Sequence, residues 1–153
     1  MIIRRATRAD KPFLDRLYAE LEHDAVMYQP EHFVMSEVSR LTDEMFDSDA
    51  QTILVAEENG EVIGFAHVML LRAKAISCLK PQTGVYIQDM VVTSGCRSRG
   101  TGTLLMDAVK EYGKDNDADF VRTQVFPMNK DGMRFYVKNG FSEKMITIEF
   151  PLK

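Results

Sequence analysis

The stretch Val85 to Gly102, VYIQDMVVTSGCRSRGTG, constrains this chain more than any other. Val85 to Val92 reads as a strand that runs into a turn crowded with small and cationic residues. The apolar spacing of TLLMDAV, from Thr103 onward, then marks a helix. A helix that begins so abruptly leaves its first N–H groups without intrahelical partners, and its dipole adds partial positive charge there. The junction is therefore an anion site, most naturally one for phosphate. It also requires a fold in which a helix packs back onto a sheet.

The rest of the chain supplies that sheet. Ile2–Arg5 reads as a first strand, and Thr7 or Asp10 can cap a helix whose first turn accepts Pro12. Phe13, Leu14, Leu17, Tyr18 and Leu21 form one buried helical stripe. A looser segment from Glu22 to Pro30 precedes a second helical pattern, expected from about Glu31 to Phe46. Thr52–Ala56 and Val62–Leu71 are strands joined by Asn59-Gly60, a strong two-residue hairpin turn. Gly64 inside the second strand marks a bulge or a close approach, and His67 farther along it reads as a partly buried structural histidine. Residues 72–84 lack periodicity and read as a loop. After the central strand and helix come a strand from Phe120 to Phe126, a short helix from Lys130 to Lys138 closed by Asn139-Gly140, and a last strand from Met145 to Phe150. This order predicts one α/β domain over residues 1–153, a mixed central sheet with helices on both faces.

Composition excludes several classes. Hydrophobic residues at 45% and charged residues at 27% are those of a globular domain. No apolar run is long enough to span a bilayer, and MIIRRATRAD lacks the pattern of a signal peptide. The expectation is a cytoplasmic protein that binds no membrane. A net charge of −4 argues against nucleic acid as a partner, which needs a basic face. Cys78 and Cys96 have neither disulfide-framework nor metal-ligand spacing. Cys96 lies beside the anion loop and reads as a small turn residue rather than a catalytic thiol. The acidic residues around His23 and His32 read as solvated surface, so no metal is expected.

Two common phosphate motifs fail. Gly95-x4-Gly100 has the spacing of a Walker loop, but Thr101-Gly102 stand where Lys-Ser/Thr is required. Gly100-x-Gly102 places Leu105 at the third glycine of the dinucleotide fingerprint. What does match is Arg97-Ser98-Arg99-Gly100-Thr101-Gly102, the pattern Q/R-x-x-G-x-G/A, behind the strand YIQDMVV and followed by Asn129-x6-Tyr136 and Lys138-Asn139-Gly140-Phe141. Over about residues 85–141 the chain resembles the GNAT superfamily of acyl-CoA-dependent N-acetyltransferases. Gly132 stands where that family usually has alanine.

The resemblance implies acetyl-CoA as co-substrate, without a metal. It implies that the loop Arg97, Ser98, Arg99, Gly100, Thr101, Gly102 and Thr103 holds the coenzyme A pyrophosphate. Main-chain groups of Met90, Val91 and Val92, on a bulged strand, would pair with pantetheine, and Asn129 would contact coenzyme A. Tyr136 becomes the acid that protonates the leaving thiolate. Asp89 is the best candidate base. By strict alternation it shares a face with the apolar Val85, Ile87 and Val91, which is costly unless it is paired or a bulge turns it into a cleft. Contact with the substrate ammonium, or a structural role at the bulge, fits it equally. The acceptor is a primary amine on a small molecule or a protein; a homodimer is possible by analogy with the family. A non-catalytic acyl-CoA-binding sensor or interaction module is the alternative.

Overall fold

The computed structural model describes residues 1–153. Five strands, β1 (Ile2–Arg5), β2 (Gln51–Glu58), β3 (Glu61–Ala73), β4 (Gln82–Val92) and β5 (Phe120–Arg122), form one sheet in the order β1-β2-β3-β4-β5. The first four pair antiparallel, and β5 joins β4 in parallel. Helices α1 (Lys11–Tyr28) and α2 (Asp43–Asp47) lie between β1 and β2, α3 (Thr101–Asp115) between β4 and β5, and α4 (Lys130–Lys138) after β5. The mixed sheet with helices on both faces is as the sequence predicts.

Two apolar layers position the elements. On one face Leu14, Leu17 and Tyr18 of α1 pack against Ile53, Val55, Phe65 and Val91; on the other, Met106 and Val109 of α3 cover Ala66, Val68, Val85 and Ile87. Truncating a fully buried leucine such as Leu17 to alanine costs about 2–5 kcal/mol in such a layer. The β2–β3 turn takes positive φ at both Asn59 (52°) and Gly60 (78°), the mirror-image geometry that suits strand twist.

At the β1 end, Asp10 is 4% exposed and accepts two bonds from Arg4, at 2.8 and 2.9 Å, and one from the Thr7 N–H at 2.8 Å. The Arg4 guanidinium holds the Asp10 carboxyl below its ordinary value against the cost of burial. A depressed folded-state pKa stabilises the fold above the unfolded value, and that contribution is lost as pH falls through the folded one. Asp10→Ala is expected to cost about 2 kcal/mol at pH 7, or roughly 4–8 °C in Tm by calorimetry, with a smaller difference from wild type as acid protonates Asp10.

Four expectations fail. The helix from Glu31 to Phe46 shrinks to Asp43–Asp47, leaving Phe33, Val34, Met35 and Val38 exposed. Serines divert the backbone: Ser36 Oγ donates to Val38 O and accepts from Val38 N–H, while Ser39 Oγ accepts from Leu41 N–H. Conversely, α1 continues through the looser segment to Tyr28. The β5 strand stops at Arg122 rather than Phe126, and residues 145–150 join no strand.

Candidate active site

A bulge sets the chemistry of β4. Asp89 pairs with His67 and Ile87 with Val68, so Gln88 is an extra residue and the strand reverses its faces there. Val85 and Ile87 face α3, whereas Val91 joins the α1 layer. Strict alternation therefore fails at Asp89. The bulge turns it away from Val85 and Ile87 toward Tyr18 and His67.

There Asp89 Oδ2 accepts a 3.0 Å bond from the Tyr18 hydroxyl and lies 3.6 Å from His67 Nδ1. Arg40 Nη2 stands 3.5 Å from Asp89 Oδ1, and its guanidinium carbon lies 4.7 Å from the centre of the Tyr18 ring. Burial and the Asp89 charge together hold the Tyr18 phenol well above its ordinary value, so it remains a donor. His67 is 5% exposed, and its Nε2 lies 2.7 Å from Gln51 Oε1. Since Oε1 only accepts, Nε2 carries the proton of the neutral ring, and the buried Nδ1 has no hydrogen-bond partner. A cleft of about 290 Å³ opens beside this cluster, lined by Asp15, Tyr18, Glu22, Glu37 and Arg40 among others.

The other half of the site lies on the α3 face. The β4–β5 pairing covers only Gly84–Tyr86, and the strands part beyond it. Thr93 N–H donates to Ile63 O on the β3 side, so by alternation the main-chain groups of Met90 and Val92 aim into the gap. Val92 O accepts from Arg97 Nε at 2.8 Å. From Arg97 to Thr103 no backbone N–H donates within the chain. Ser98 (φ 61°) and Gly100 (φ 87°) adopt left-handed conformations that curl these groups into a cradle. Thr101 is 1% exposed, and its hydroxyl also lacks a partner. The cradle fits a phosphate group. Its arginines are engaged: Arg97 Nη2 lies 3.8 Å from Glu20, and Arg99 Nη2 contacts both Glu58 carboxylate oxygens at 2.9 Å. Cys96, half-buried, packs against the buried cluster of Ala56, Ile63 and Leu105.

Tyr136 packs edge-on between Phe135 (5.3 Å) and Phe141 (5.4 Å), in the layer with Val85 and Ile87. Burial pushes its phenol above 10, with the Thr123 hydroxyl opposing. Asn129 caps α4: its Oδ1 accepts from Gly132 N–H at 2.9 Å. A Cβ at Gly132 would lie 2.5 Å from the Asn129 amide nitrogen, so glycine and cap go together. Tyr136 and Asp89 thus sit on opposite sheet faces, either side of the point where β4 leaves β5. No sequence motif marks Tyr18, Arg40 or Gln51 as site residues. The sequence marks Tyr18 only as part of a buried stripe, and Arg40 gives no signal. Glu31, His32 and Glu149 also cluster, but all three are exposed.

No helix is long and apolar enough to cross a membrane. The family model described as "Acetyltransferase (GNAT) family" matches residues 14–141. A Bacillus subtilis relative named as the uncharacterized N-acetyltransferase YhfO is 30% identical over 63% of this chain and 62% of its own length. A second, the uncharacterized N-acetyltransferase MJ1207 of Methanocaldococcus jannaschii, is 31% identical over 64% of this chain and 42% of its own length. The matches thus span less than two thirds of these relatives. Among solved structures, a mutant of the BH1408 protein from Bacillus halodurans superposes with a TM-score of 0.94 at 26% identity, covering all of both chains. The aminoglycoside N-acetyltransferase AAC(6')-Iy in complex with CoA gives a TM-score of 0.74 at 20% identity, covering 99% of each chain, and so shares the fold. The reversed strand, the N–H cradle and the match over most of the chain agree: this protein belongs to the GNAT family of acetyltransferases.

Proposed function

We propose that the protein transfers an acetyl group from acetyl-CoA directly to a primary amine. The observation that carries this reading is the pairing of two half-sites across the sheet. One is the N–H cradle with the freed β4 edge, and the other is Asp89 held by Tyr18 and His67.

In this reading the Arg97–Thr103 loop binds the coenzyme A pyrophosphate, and Met90 and Val92 align the pantetheine arm along the open strand edge, while the main chain of Val91 faces β3. Asn129 positions the α4 side of that channel. Asp89 attracts the acceptor ammonium and takes its proton. With reference values near 10.4 for the ammonium and 3.9 for a carboxyl, this step is uphill by about 9 kcal/mol in water. Stripping water from the ammonium beside Tyr18 and His67 lowers that cost. The amine nitrogen then forms a bond to the thioester carbon, the C–S bond breaks as the oxyanion collapses, and the nitrogen's surplus proton passes through solvent to the departing thiolate. A backbone N–H at the splay supports the oxyanion. Tyr136 donates its O–H to the departing sulfur. A phenol above 10 is a weaker acid than a thiol near 8.5, so its main work is a hydrogen bond to the developing thiolate.

Arg40 occupies the place of a cationic acceptor, over Tyr18 and against Asp89. Arg40→Ala is therefore expected to lower KM for a cationic amine by about 3–10-fold, a gain of about 1 kcal/mol, with kcat little changed. Initial-rate kinetics on an amine substrate check this, and a raised KM counts against it. Direct transfer is tested by intact-mass spectrometry after incubation with acetyl-CoA alone. No acetyl adduct is expected, and a stoichiometric adduct on Cys96 overturns the direct route.

A further inference from the structure

The cleft beside Asp89 carries more negative charge than one amine can use. One wall is a stripe of α1, where Asp15, Tyr18, Ala19 and Glu22 follow the i, i+3, i+4, i+7 spacing of a single helix face. Asp15 and Glu22 thus stand about 10 Å apart along the axis, a turn to either side of Tyr18. The opposite wall is the segment from Met35 to Arg40, which adds Glu37. Serines pin that segment to the helix. Ser39 Oγ donates to Asp15 Oδ1 at 2.5 Å, and Ser36 N–H donates to Glu22 Oε2 at 2.9 Å. Both donors are neutral, so the carboxylates keep their charge.

Arg40 is the one cation among the lining residues. Its Nη2 lies 3.5 Å from Asp89 and its Nε 4.0 Å from Glu22, so a single guanidinium is stretched between two carboxylates. The side chains of Asp89 and Glu22 are only 12% and 13% exposed, and water and salt screen such charges weakly. At the inner end, His67 Nδ1 is buried without a hydrogen-bond partner, 3.6 Å from Asp89 Oδ2. A primary ammonium has three donors and no acceptor, so one such group can serve Asp89 and His67 Nδ1 together. It cannot also serve the outer carboxylates, which need a second cation once Arg40 gives way.

We propose that the acceptor is a linear alkyl diamine or polyamine. One ammonium docks at Asp89 and His67 Nδ1 and is acetylated there. The next takes the place of Arg40 beside Glu22, facing Asp15 and Glu37. The methylenes between them lie on the Tyr18 ring, Ala19, Met35 and Val38, the apolar part of the lining. Volume favours a slender chain over a multi-ring amino sugar, because about 290 Å³ is at the lower end of ligand pockets, which begin near 300 Å³. The inference rests on the acetyltransferase reading and adds to it the second charge of the acceptor.

Initial rates of thiol release from acetyl-CoA with butylamine, 1,4-diaminobutane and kanamycin test this. Butylamine and the diamine share one carbon chain and differ by the second ammonium. The diamine should show a kcat/KM at least about 10-fold higher, a gap that about 1 M salt narrows. Glu22→Gln with Glu37→Gln keeps the side-chain shapes and an acceptor for Ser36 N–H, and should bring the two amines within about 2-fold of each other. Equal wild-type values, a gap that survives the double substitution, or a higher kcat/KM for kanamycin overturns the proposal. Calorimetric titration of each amine onto the protein holding coenzyme A separates the cleft from the activity. If no amine releases thiol, the acetyltransferase reading falls and affinity alone decides. A diamine Kd at least about 10-fold below that of butylamine then supports the proposal, and equal Kd values overturn it.

Discussion

Asp89→Asn should lower kcat/KM for the amine by about 10²–10⁴-fold, the range by which a positioned acid–base group usually contributes. The substitution keeps the shape and the Tyr18 bond but removes the charge that draws in an ammonium and the site that takes its proton. The pH–rate profile should shift as well, since the remaining rate then depends on amine already deprotonated in solution. The structure adds a control. Gln51→Leu removes the acceptor that fixes His67 Nε2–H, so the Asp89-facing Nδ1 is no longer held as the acceptor. It should lower kcat more than it raises KM. If Asp89→Asn changes neither the pH profile nor acceptor affinity, Asp89 is a structural residue of the bulge.

Tyr136→Phe should reduce kcat by about 10²–10³-fold while leaving the Kd for coenzyme A within roughly 2-fold. The phenylalanine retains the edge-on packing with Phe135 and Phe141. The loss therefore reports the hydroxyl alone. The raised phenol pKa sets the pH sign: Tyr136 stays a donor through neutral and mildly alkaline pH, and wild-type activity falls only when the phenol ionises, above 10. Unchanged turnover in Tyr136→Phe removes it from the acid role. Calorimetric titration with coenzyme A and single-turnover kinetics separate the two effects.

The parts of the fold visible in the sequence are those governed by local chemistry. Asn59-Gly60 announces its turn because few residues tolerate positive φ twice in succession. The α3 cradle is readable because Gly100 and the residues around it have to curl N–H groups toward an anion. What escaped depends on partners distant in sequence. Asp89 changed faces because Gln88 bulges against β3, and no alternation rule within β4 shows that. Tyr18 reads as core because its ring is core; only its hydroxyl, 3.0 Å from a residue on another element, belongs to the site. Arg40 reaches that site only because Ser36 and Ser39 unwind the helix expected around it. Residues 145–150 have the pattern of a strand and lack only a neighbour to pair with.

The central claim is tested most directly by measuring free thiol released from acetyl-CoA across a panel of primary amines. The account predicts release that depends on the amine, saturates with both substrates, and accompanies an amine product heavier by one acetyl group. Acetyl-CoA that binds by calorimetry yet releases no thiol with any amine in the panel would contradict it. Such a result would identify the cradle as that of an acyl-CoA sensor.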